Sequence, residues 1–523
     1  MSNQMPETRR RHLSVSEEVE SCVRPLSGIK GDSSSDGYKS EDASQTNGRI
    51  FSEGGSHETS QRPRDATISE IGKIGSVFII ILEHVISSIT LILPTPLIDA
   101  FTSLSRFIFS FFKSSEVKYD NLISDKHISM KDKVLSKLDK LKNSQNFSQI
   151  CHLNGFEAES HLVHTQDGFK LTLHRLKPEN NGYTSNGKAI YFQHGLLMTS
   201  DVWCVMLNKD DNLPFRLCEQ GYDVFLGNNR GNKYSNKHVG FSSDERKFWD
   251  FSIDEFAMYD IPSSIDYILK LKGISTLTYI GFSQGCSQIL SSVSINDDLN
   301  HKIDKLVLIA PATTPKRLSN WLLNSIINFN PEMMYLLFGR KILMKSVIFW
   351  RKITYPPMFI QLIDLPNKIL FDWNSVNIDV IQKMVSYYHL YSTTSVKCVV
   401  HWFQIIKSKR FQMYQEKDYF EPFEYPTDTR IDISKLLIIY GMNDSLVDID
   451  TLVSQLPAFN KQHFTQIKDG KVVGRREVVI KENGEGVDDK ELNVFGIYGH
   501  EHLDLLWGRR QQENVINNVL DFI

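Results

Sequence analysis

Residues 277–294 read LTYIGFSQGCSQILSSVS, a short apolar run, a glycine-flanked serine and then a helical pattern. The pattern Gly281-x-Ser283-x-Gly285 between a strand and a helix is typical of a sharp turn that lifts a serine hydroxyl above the edge of a sheet. Because the five-residue pattern alone also occurs by chance, an ordinary turn is the alternative. The flanking strand and helix patterns favour the first interpretation, and we predict that Ser283 is a nucleophile.

Further apolar runs lie on both sides of this turn, and helical patterns separate several of them. The helical patterns cover residues 253–271 and 284–294, and a hairpin is predicted around the turn at 166–168. This alternation is typical of a mainly parallel sheet with helices on both faces, which is an α/β fold. The predicted strands are residues 189–193, 222–226, 277–281, 305–310 and 435–440.

The segment between Pro311 and Lys435 is too long for one crossover between parallel strands. It is rich in helical patterns and in large apolar side chains. We interpret residues at about 312–430 as a helical cap over the active end of the sheet, inserted into a catalytic domain that spans residues 114–523. The alternative is that its apolar clusters only pack on the core.

The N-terminal part of the chain differs sharply in composition from the rest. Residues 1–70 are rich in Ser, Gly and charged residues, and we predict a disordered tail there. Ile74–Leu93 is almost wholly apolar and about as long as a helix that crosses ~30 Å of hydrocarbon. A second apolar run, Leu97–Phe112, follows it. We predict a membrane anchor at 71–113.

Two polar residues, Glu83 and His84, lie in the middle of the first run and are costly in lipid. The alternative is therefore a buried helix packed on the catalytic domain. If the anchor interpretation holds, the partner is a membrane or a lipid-droplet surface. Lipid droplet, endoplasmic reticulum and plasma membrane are equally compatible with the sequence as locations.

Composition and charge exclude several classes of protein. The chain has 523 residues and a formal net charge of −3, with no long basic tract beyond Arg9–Arg11, so we expect no nucleic-acid partner. Its six cysteines form no CxxC pair, which argues against a zinc or thioredoxin-like site. They are also too sparse for a disulfide framework.

A serine nucleophile in such a turn requires an acid and then a histidine further along the chain. Asp444 follows the predicted strand 435–440, where an orienting carboxylate belongs. Asp448 and Asp450 are alternatives, and any of these aspartates can instead cap a turn or a helix.

Two histidines near the C-terminus, His500 and His502, are candidates for the base. A neutral imidazole can accept the serine proton and return it to a leaving alcohol. Sequence spacing alone does not choose between them. The pattern HExH lacks the HExxH spacing of a zinc site, so we expect no metal.

The pair His194-Gly195 follows the predicted strand 189–193, where a second oxyanion donor is expected. The backbone N–H groups of Leu196 and Gln284 are the predicted donors. Gly195 would permit close backbone approach, although it could also be an ordinary glycine at the end of a strand.

The chain resembles the acid lipase family, which includes gastric and lysosomal lipases, and is most similar to the yeast-type membrane-anchored steryl ester hydrolases. The resemblance implies an α/β-hydrolase fold with a mobile cap and no cofactor. It also implies that the acid is Asp444, the first Asp of GxxDxLxD, and that the base is His502, which opens HLDxxWG. The motifs that carry it are FQHGLLMTSDVW (192–203), NNRGNKYSNKHVGFS (228–242), FWDFSIDEFAMYDIP (248–262), GFSQG (281–285), SVKCVVHWFQIIKSKRFQMY (395–414), GMNDSLVD (441–448) and HLDLLWG (502–508).

The resemblance implies steryl esters and acylglycerols as substrates. We therefore expect hydrolysis of steryl esters through an acyl-enzyme, with triacylglycerol hydrolysis as the alternative. A catalytically silent lipid-binding scaffold and a soluble short-chain esterase are further alternatives. The charged stretch at 468–491, between the predicted acid and base, is interpreted as a surface excursion.

Overall fold

The computed structural model describes residues 128–178, 184–315, 331–343, 347–354, 356–416, 421–479 and 490–523, together with residue 327 and single positions between 96 and 107. The predicted tail at 1–70 and most of the predicted anchor at 71–113 lie outside the described residues. Within the described part of the chain, no helix has both the length and the apolar character needed to cross a membrane.

The strands, numbered in chain order, form one large sheet and one small pair. They are β1 (Phe156–His164), β2 (Phe169–Pro178), β3 (Ala189–Gln193), β4 (Asp223–Leu226), β5 (Lys237–His238), β6 (Leu277–Phe282), β7 (Ile303–Ile309), β8 (Ile342–Leu343), β9 (Thr394–Ser395), β10 (Lys435–Gly441), β11 (Lys461–Lys468), β12 (Lys471–Val479) and β13 (Glu491–Ile497).

The large sheet has the order β1-β2-β4-β3-β6-β7-β10-β13-β11-β12, with β5 paired to β2. Every pair from β4 to β11 is parallel, whereas β1, β2 and β12 join antiparallel. The mainly parallel sheet that the sequence predicts is confirmed. Because parallel strands end at the same edge, the loops after β3, β6, β10 and β13 meet there.

Helices cover both faces of this sheet. They are α1 (Ile128–Lys142), α2 (Phe147–His152), α3 (Leu213–Glu219), α4 (Ile253–Glu255), α5 (Ile261–Lys272), α6 (Gln284–Ile295), α7 (Asp297–Asn300), α8 (Pro331–Phe338), α9 (Val347–Ile353), α10 (Pro356–Phe371), α11 (Val380–Leu390), α12 (Val396–Ser408), α13 (Thr427–Arg430), α14 (Ile449–Ser454), α15 (Asp504–Trp507) and α16 (Asn517–Phe522). One π-helical turn, Phe256–Asp260, joins α4 to α5 inside the predicted helix at 253–271.

Alternating side chains of the central strands point into two separate cores. On β6, Ile280 packs into one core and Tyr279 into the other, and Phe192 and Tyr191 of β3 divide in the same way. Every residue of β3 and of β6 is buried. This double burial explains why the central strands read as continuous apolar runs rather than as alternating patterns.

Helices α8 to α12 lie between β7 and β10, in the segment that the sequence predicts as a helical cap. We call residues 312–430 the cap insertion, and its exact bounds stay a prediction. The charged stretch at 468–491 is mostly exposed where the structure describes it, as predicted for a surface excursion, but it also contains a strand that we did not predict. Its described first part forms β12, which pairs with β11 and extends the sheet.

Candidate active site

Ser283 lies at the junction of β6 and α6 with φ 53° and ψ −117°, a conformation that non-glycine residues rarely adopt. The glycines on either side are required by close packing. A Cβ on Gly281 would lie 2.9 Å from the backbone nitrogen of Cys286, and a Cβ on Gly285 would lie 2.4 Å from the carbonyl oxygen of Gln193. The strand, the sharp turn and the helix that the sequence predicts are therefore present.

Three buried side chains form a hydrogen-bonded chain at this turn. The Nε2 atom of His502 is 2.8 Å from Oγ of Ser283, and its Nδ1 atom is 2.6 Å from Oδ2 of Asp444. A carboxylate accepts hydrogen bonds, so Nδ1 carries the proton and donates it to Asp444. Nε2 is then free to accept the serine hydroxyl proton, which is the arrangement that a general base needs.

The acid and the base come from neighbouring parallel strands. Asp444 follows β10, and His502 follows β13, which pairs directly with β10 in register. A second oxygen of Asp444 accepts from the backbone N–H of Leu446, which fixes the orientation of the carboxylate. The two residues therefore meet although 58 positions separate them in the chain.

The other candidate acid and base residues have different partners. His500 lies with Nδ1 near the carbonyl oxygen of Tyr498 and Nε2 near the side-chain amide of Asn514. Asp448 caps α14 by accepting from the backbone N–H of Thr451. Asp450 lies in the first turn of the same helix. The structure thus brings Asp444 and His502 to Ser283 and places the alternatives elsewhere.

The loop after β3 lies directly against the serine, as the oxyanion prediction requires. A Cβ on Gly195 would lie 3.1 Å from Cβ of Ser283. Leu196 is the next residue of this loop, and Gln284 opens α6 on the other side of Ser283. In the described part of the chain, neither of these two N–H groups has a protein acceptor.

The side chain of His194 holds this loop in place through hydrogen bonds at both ring nitrogens. Its Nε2 atom accepts from the backbone N–H of Asn229, so the ring proton lies on Nδ1 and is donated to the carbonyl oxygen of Gly195. Burial lowers the pKa of His194 to about 4, which keeps the imidazole neutral.

A buried arginine holds the neighbouring loop after β4. Arg230 forms ion pairs with Asp260 at 2.6 Å and with Asp167, and its guanidinium lies 4.1 Å from the ring centre of Phe169. Burial raises the pKa of Asp260 to about 6, and the guanidinium opposes that rise. These ion pairs hold the loop after β4 in place. The same loop contains Asn229, which donates to His194.

The cap insertion contributes side chains that the sequence analysis did not identify. The indole N–H of Trp402 donates to the side-chain oxygen of Gln284 at 2.7 Å. Trp373 stacks on the ring of His502 with centroids 5.1 Å apart. Trp402 lies in the motif at 395–414, which was quoted for the resemblance without a role for this residue, and Trp373 lies in none of the quoted motifs.

A buried serine in a strained strand-to-helix turn is hydrogen-bonded to a histidine, and that histidine is hydrogen-bonded to an aspartate. Because both partners follow later strands, this arrangement defines the chain as an α/β-hydrolase. Residues 188–471 match the family described as the alpha/beta hydrolase fold, and residues 147–207 match a partial alpha/beta-hydrolase lipase region.

Known lipases are similar to most of this chain. A probable lipase of Schizosaccharomyces pombe is 39% identical over 393 residues, covering 73% of this chain and 81% of that relative. A second probable lipase of the same organism is 36% identical over 456 residues, covering 85% and 89%. The gastric triacylglycerol lipase of Rattus norvegicus is 28% identical over 394 residues, covering 73% and 92%.

The chain belongs to the acid lipase family of α/β-hydrolases, which confirms the resemblance drawn from its motifs. It is therefore a carboxylic ester hydrolase of the lipase type.

Proposed function

We propose that this lipase hydrolyses steryl esters at a membrane or lipid-droplet surface through an acyl-enzyme formed on Ser283. The observation that carries the catalytic assignment is the hydrogen-bonded chain from Ser283 through His502 to Asp444. A scaffold that only binds lipid would not need this buried arrangement, so the geometry favours an active enzyme over a silent one.

The proposed reaction uses each of these groups in turn. His502 takes the hydroxyl proton through Nε2 while Oγ of Ser283 attacks the ester carbonyl carbon. The N–H groups of Leu196 and Gln284 stabilise the oxyanion, and Asp444 stabilises the imidazolium. His502 then returns the proton to the leaving alcohol oxygen. Water, activated by the same imidazole, finally releases the fatty acid from the serine.

Steryl esters are the favoured substrate because the motif resemblance points to steryl ester hydrolases. Triacylglycerol is the second candidate, since a relative that matches 73% of this chain is a gastric triacylglycerol lipase. The decisive experiment incubates the purified protein with radiolabelled steryl oleate and trioleoylglycerol in matched mixed micelles. A higher kcat/KM for the steryl ester supports the proposal, and a preference for the glyceride overturns it.

The Ser283→Ala variant tests the catalytic assignment in the same assay. We expect it to lose steryl ester hydrolysis by several orders of magnitude while retaining the fold, because the smaller side chain introduces no clash. Near-normal turnover by the folded variant would refute the role of Ser283. Equal inactivity of the wild-type protein on every ester would instead favour the silent scaffold.

Exposed apolar side chains support the proposed lipid surface. Leu362, Leu365 and Ile369 lie on one exposed face of α10, at spacings that bring them together on a helix. The hydroxyl of Ser105, which lies inside the predicted anchor at 71–113, donates to the carbonyl oxygen of Ile353 at the end of α9. The anchor and the cap insertion would therefore meet the same lipid surface.

Deletion of residues 1–115 tests the anchor. We expect the truncated protein to be released from membranes in flotation gradients. Activity on emulsified ester should fall more than activity on a short soluble ester. A truncated protein that still floats with membranes would place the membrane contact on the cap insertion alone.

A further inference from the structure

Trp373 lies flat against the imidazole of His502. The two ring centroids are 5.1 Å apart, and the ring planes differ by 7°. Trp373 is only 5% exposed, although it belongs to the connection between α10 and α11 and not to the sheet that carries Ser283. A buried indole ring stacked in this way lies against one face of the imidazole and restricts the rotation of that ring.

The same connection holds the backbone beside His502. The carboxylate of Glu501 accepts from the backbone N–H groups of Asn374 at 2.8 Å and of Ser375 at 2.7 Å. These are hydrogen bonds to a charged acceptor, which are stronger than neutral ones. The residue immediately before His502 is thereby fixed to the two residues that follow Trp373.

A second carboxylate completes this attachment. One oxygen of Asp504 accepts from the backbone N–H of Glu501 at 2.8 Å and from the side-chain amide of Asn377 at 3.0 Å. The loop that carries His502 is therefore bound to residues 374–377 both before and after the histidine.

Residues with strained backbone conformations lie on both sides of Trp373 in the chain. Asp372 has φ 57° and Ser375 has φ 51°, and each such non-glycine residue costs on the order of 1 kcal/mol. Strain of this kind persists where surrounding contacts determine the conformation. Here those contacts are the bonds from Glu501 and the stacking of Phe371 on Trp373, with ring centroids 4.5 Å apart.

We propose that Trp373 is a positioning residue that holds the ring of His502 in the plane joining Asp444 to Ser283. The inference rests on the proposed role of His502 as the base. In the reaction, Nε2 must reach the serine oxygen and then the leaving alcohol oxygen while Nδ1 stays bonded to Asp444. Rotation of the imidazole ring breaks both of these hydrogen bonds at once. The cap insertion therefore takes part in aligning the base.

The test compares three variants of the full-length protein on a soluble short-chain ester and with a fluorophosphonate probe that labels an activated serine. Trp373→Leu should lower kcat and the labelling rate constant by about 10–100-fold with KM nearly unchanged, because small misplacements of reacting groups have effects of that size. Trp373→Phe keeps a flat ring and should stay within about threefold of the wild-type protein. Phe423→Ala, at a 59% exposed position of the cap insertion, is the matched control and should leave both measurements unchanged.

The outcomes separate this inference from the proposed function. If Ser283 of the wild-type protein is not labelled, the proposed function fails. If the wild-type protein is labelled and Trp373→Leu is labelled equally fast, only the role of Trp373 is refuted. A Trp373→Leu effect confined to KM would also refute it, since the residue would then contact substrate. Should Trp373→Leu not fold, Trp373→Met fills the site without a flat ring and is expected to show the same loss of kcat.

Discussion

The Nδ1 atom of His194 donates to the carbonyl oxygen of Gly195 across 2.8 Å. In a trans peptide the carbonyl and the following N–H point in opposite directions. Holding this carbonyl therefore also fixes the direction of the N–H of Leu196, one of the two proposed oxyanion donors. Because burial keeps this imidazole neutral and both ring nitrogens are hydrogen-bonded to the backbone, its contribution is orientation.

We expect His194→Phe to reduce kcat by about 10²-fold, the effect that follows from losing one oxyanion donor in other enzymes. The Gly195–Leu196 peptide would no longer be held by a ring donor. KM for a soluble ester should change little. Steady-state kinetics on the folded variant check this, and an unchanged kcat would show that the loop keeps its orientation without the histidine.

Two buried neutral histidines should make the protein less stable in acid. Burial lowers the pKa of His174 and of His194 to about 4 in the folded protein. In the unfolded chain these two histidines have a pKa of about 6.5 and bind protons more readily than in the folded protein. Acid therefore favours the unfolded state, and stability is lost as the pH falls from about 6.5 towards 4. Each group contributes a loss on the order of 2 kcal/mol by pH 5.

The His174→Asn variant tests this linkage. Urea unfolding at pH 7 and at pH 5 should give a smaller difference in the free energy of unfolding than in the wild-type protein. Taking the difference between two pH values cancels the cost of the lost packing. An equal difference in both proteins would contradict a neutral buried His174.

The two C-terminal histidines should respond very differently to substitution. His502→Ala should lower ester hydrolysis by several orders of magnitude, because it removes the hydrogen-bond partner of Ser283. His500→Ala is the matched control two residues away and should retain most activity. A larger loss at His500 would mean that the proposed base is wrong.

Gly285→Ala should damage the turn around Ser283. The added Cβ would lie 2.4 Å from the carbonyl oxygen of Gln193, and backbone atoms cannot yield as a flexible side chain would. We expect a loss of about 1–3 kcal/mol in stability, typical of overpacking, and a large loss of activity. Gly240→Ala is the control, since its Cβ would meet ordinary contacts at 3.7 Å. Equal melting temperatures for the two variants would contradict the steric argument.

The exposed face of α10 should contribute to lipid binding. Leu365 is 61% exposed, and Leu365→Asp places a charge where an apolar side chain would enter the lipid. We expect weaker binding to phosphatidylcholine vesicles and unchanged activity on a soluble ester. Val473→Asp, at a 54% exposed position on β12, is the matched control. The same loss of vesicle binding in both variants would show that α10 has no specific part in lipid binding.

Local patterns of a few residues predicted the turn at Ser283 and strands β3, β4, β6, β7 and β10. Doubly buried strands read as continuous apolar runs, and the glycines beside Ser283 mark the close approach of the backbone. The choice of His502 over His500 required the motif resemblance, and in the structure it is His502 that contacts Ser283.

Contacts between distant segments were not predictable in this way. The sequence contains no sign that Trp373 would stack on His502, since the two residues meet only when the cap insertion packs on the sheet. Strands β11 to β13 were also missed. Strands β11 and β12 form a hairpin, and β13 lies between β10 and β11 in the sheet. The charged residues of 468–491 masked the strand pattern of β12.

The position of β12 at the end of the sheet has a consequence for self-association. In the described part of the chain, β12 pairs on one side only, with β11, so its other side offers backbone groups to a second copy. Edge strands of this kind are templates for aggregation unless charged side chains oppose pairing. Lys471, Arg475 and Arg476 lie exposed or half-exposed on this strand. Two such edges brought together would set these like charges against each other, which opposes the joining of two copies of the protein sheet to sheet.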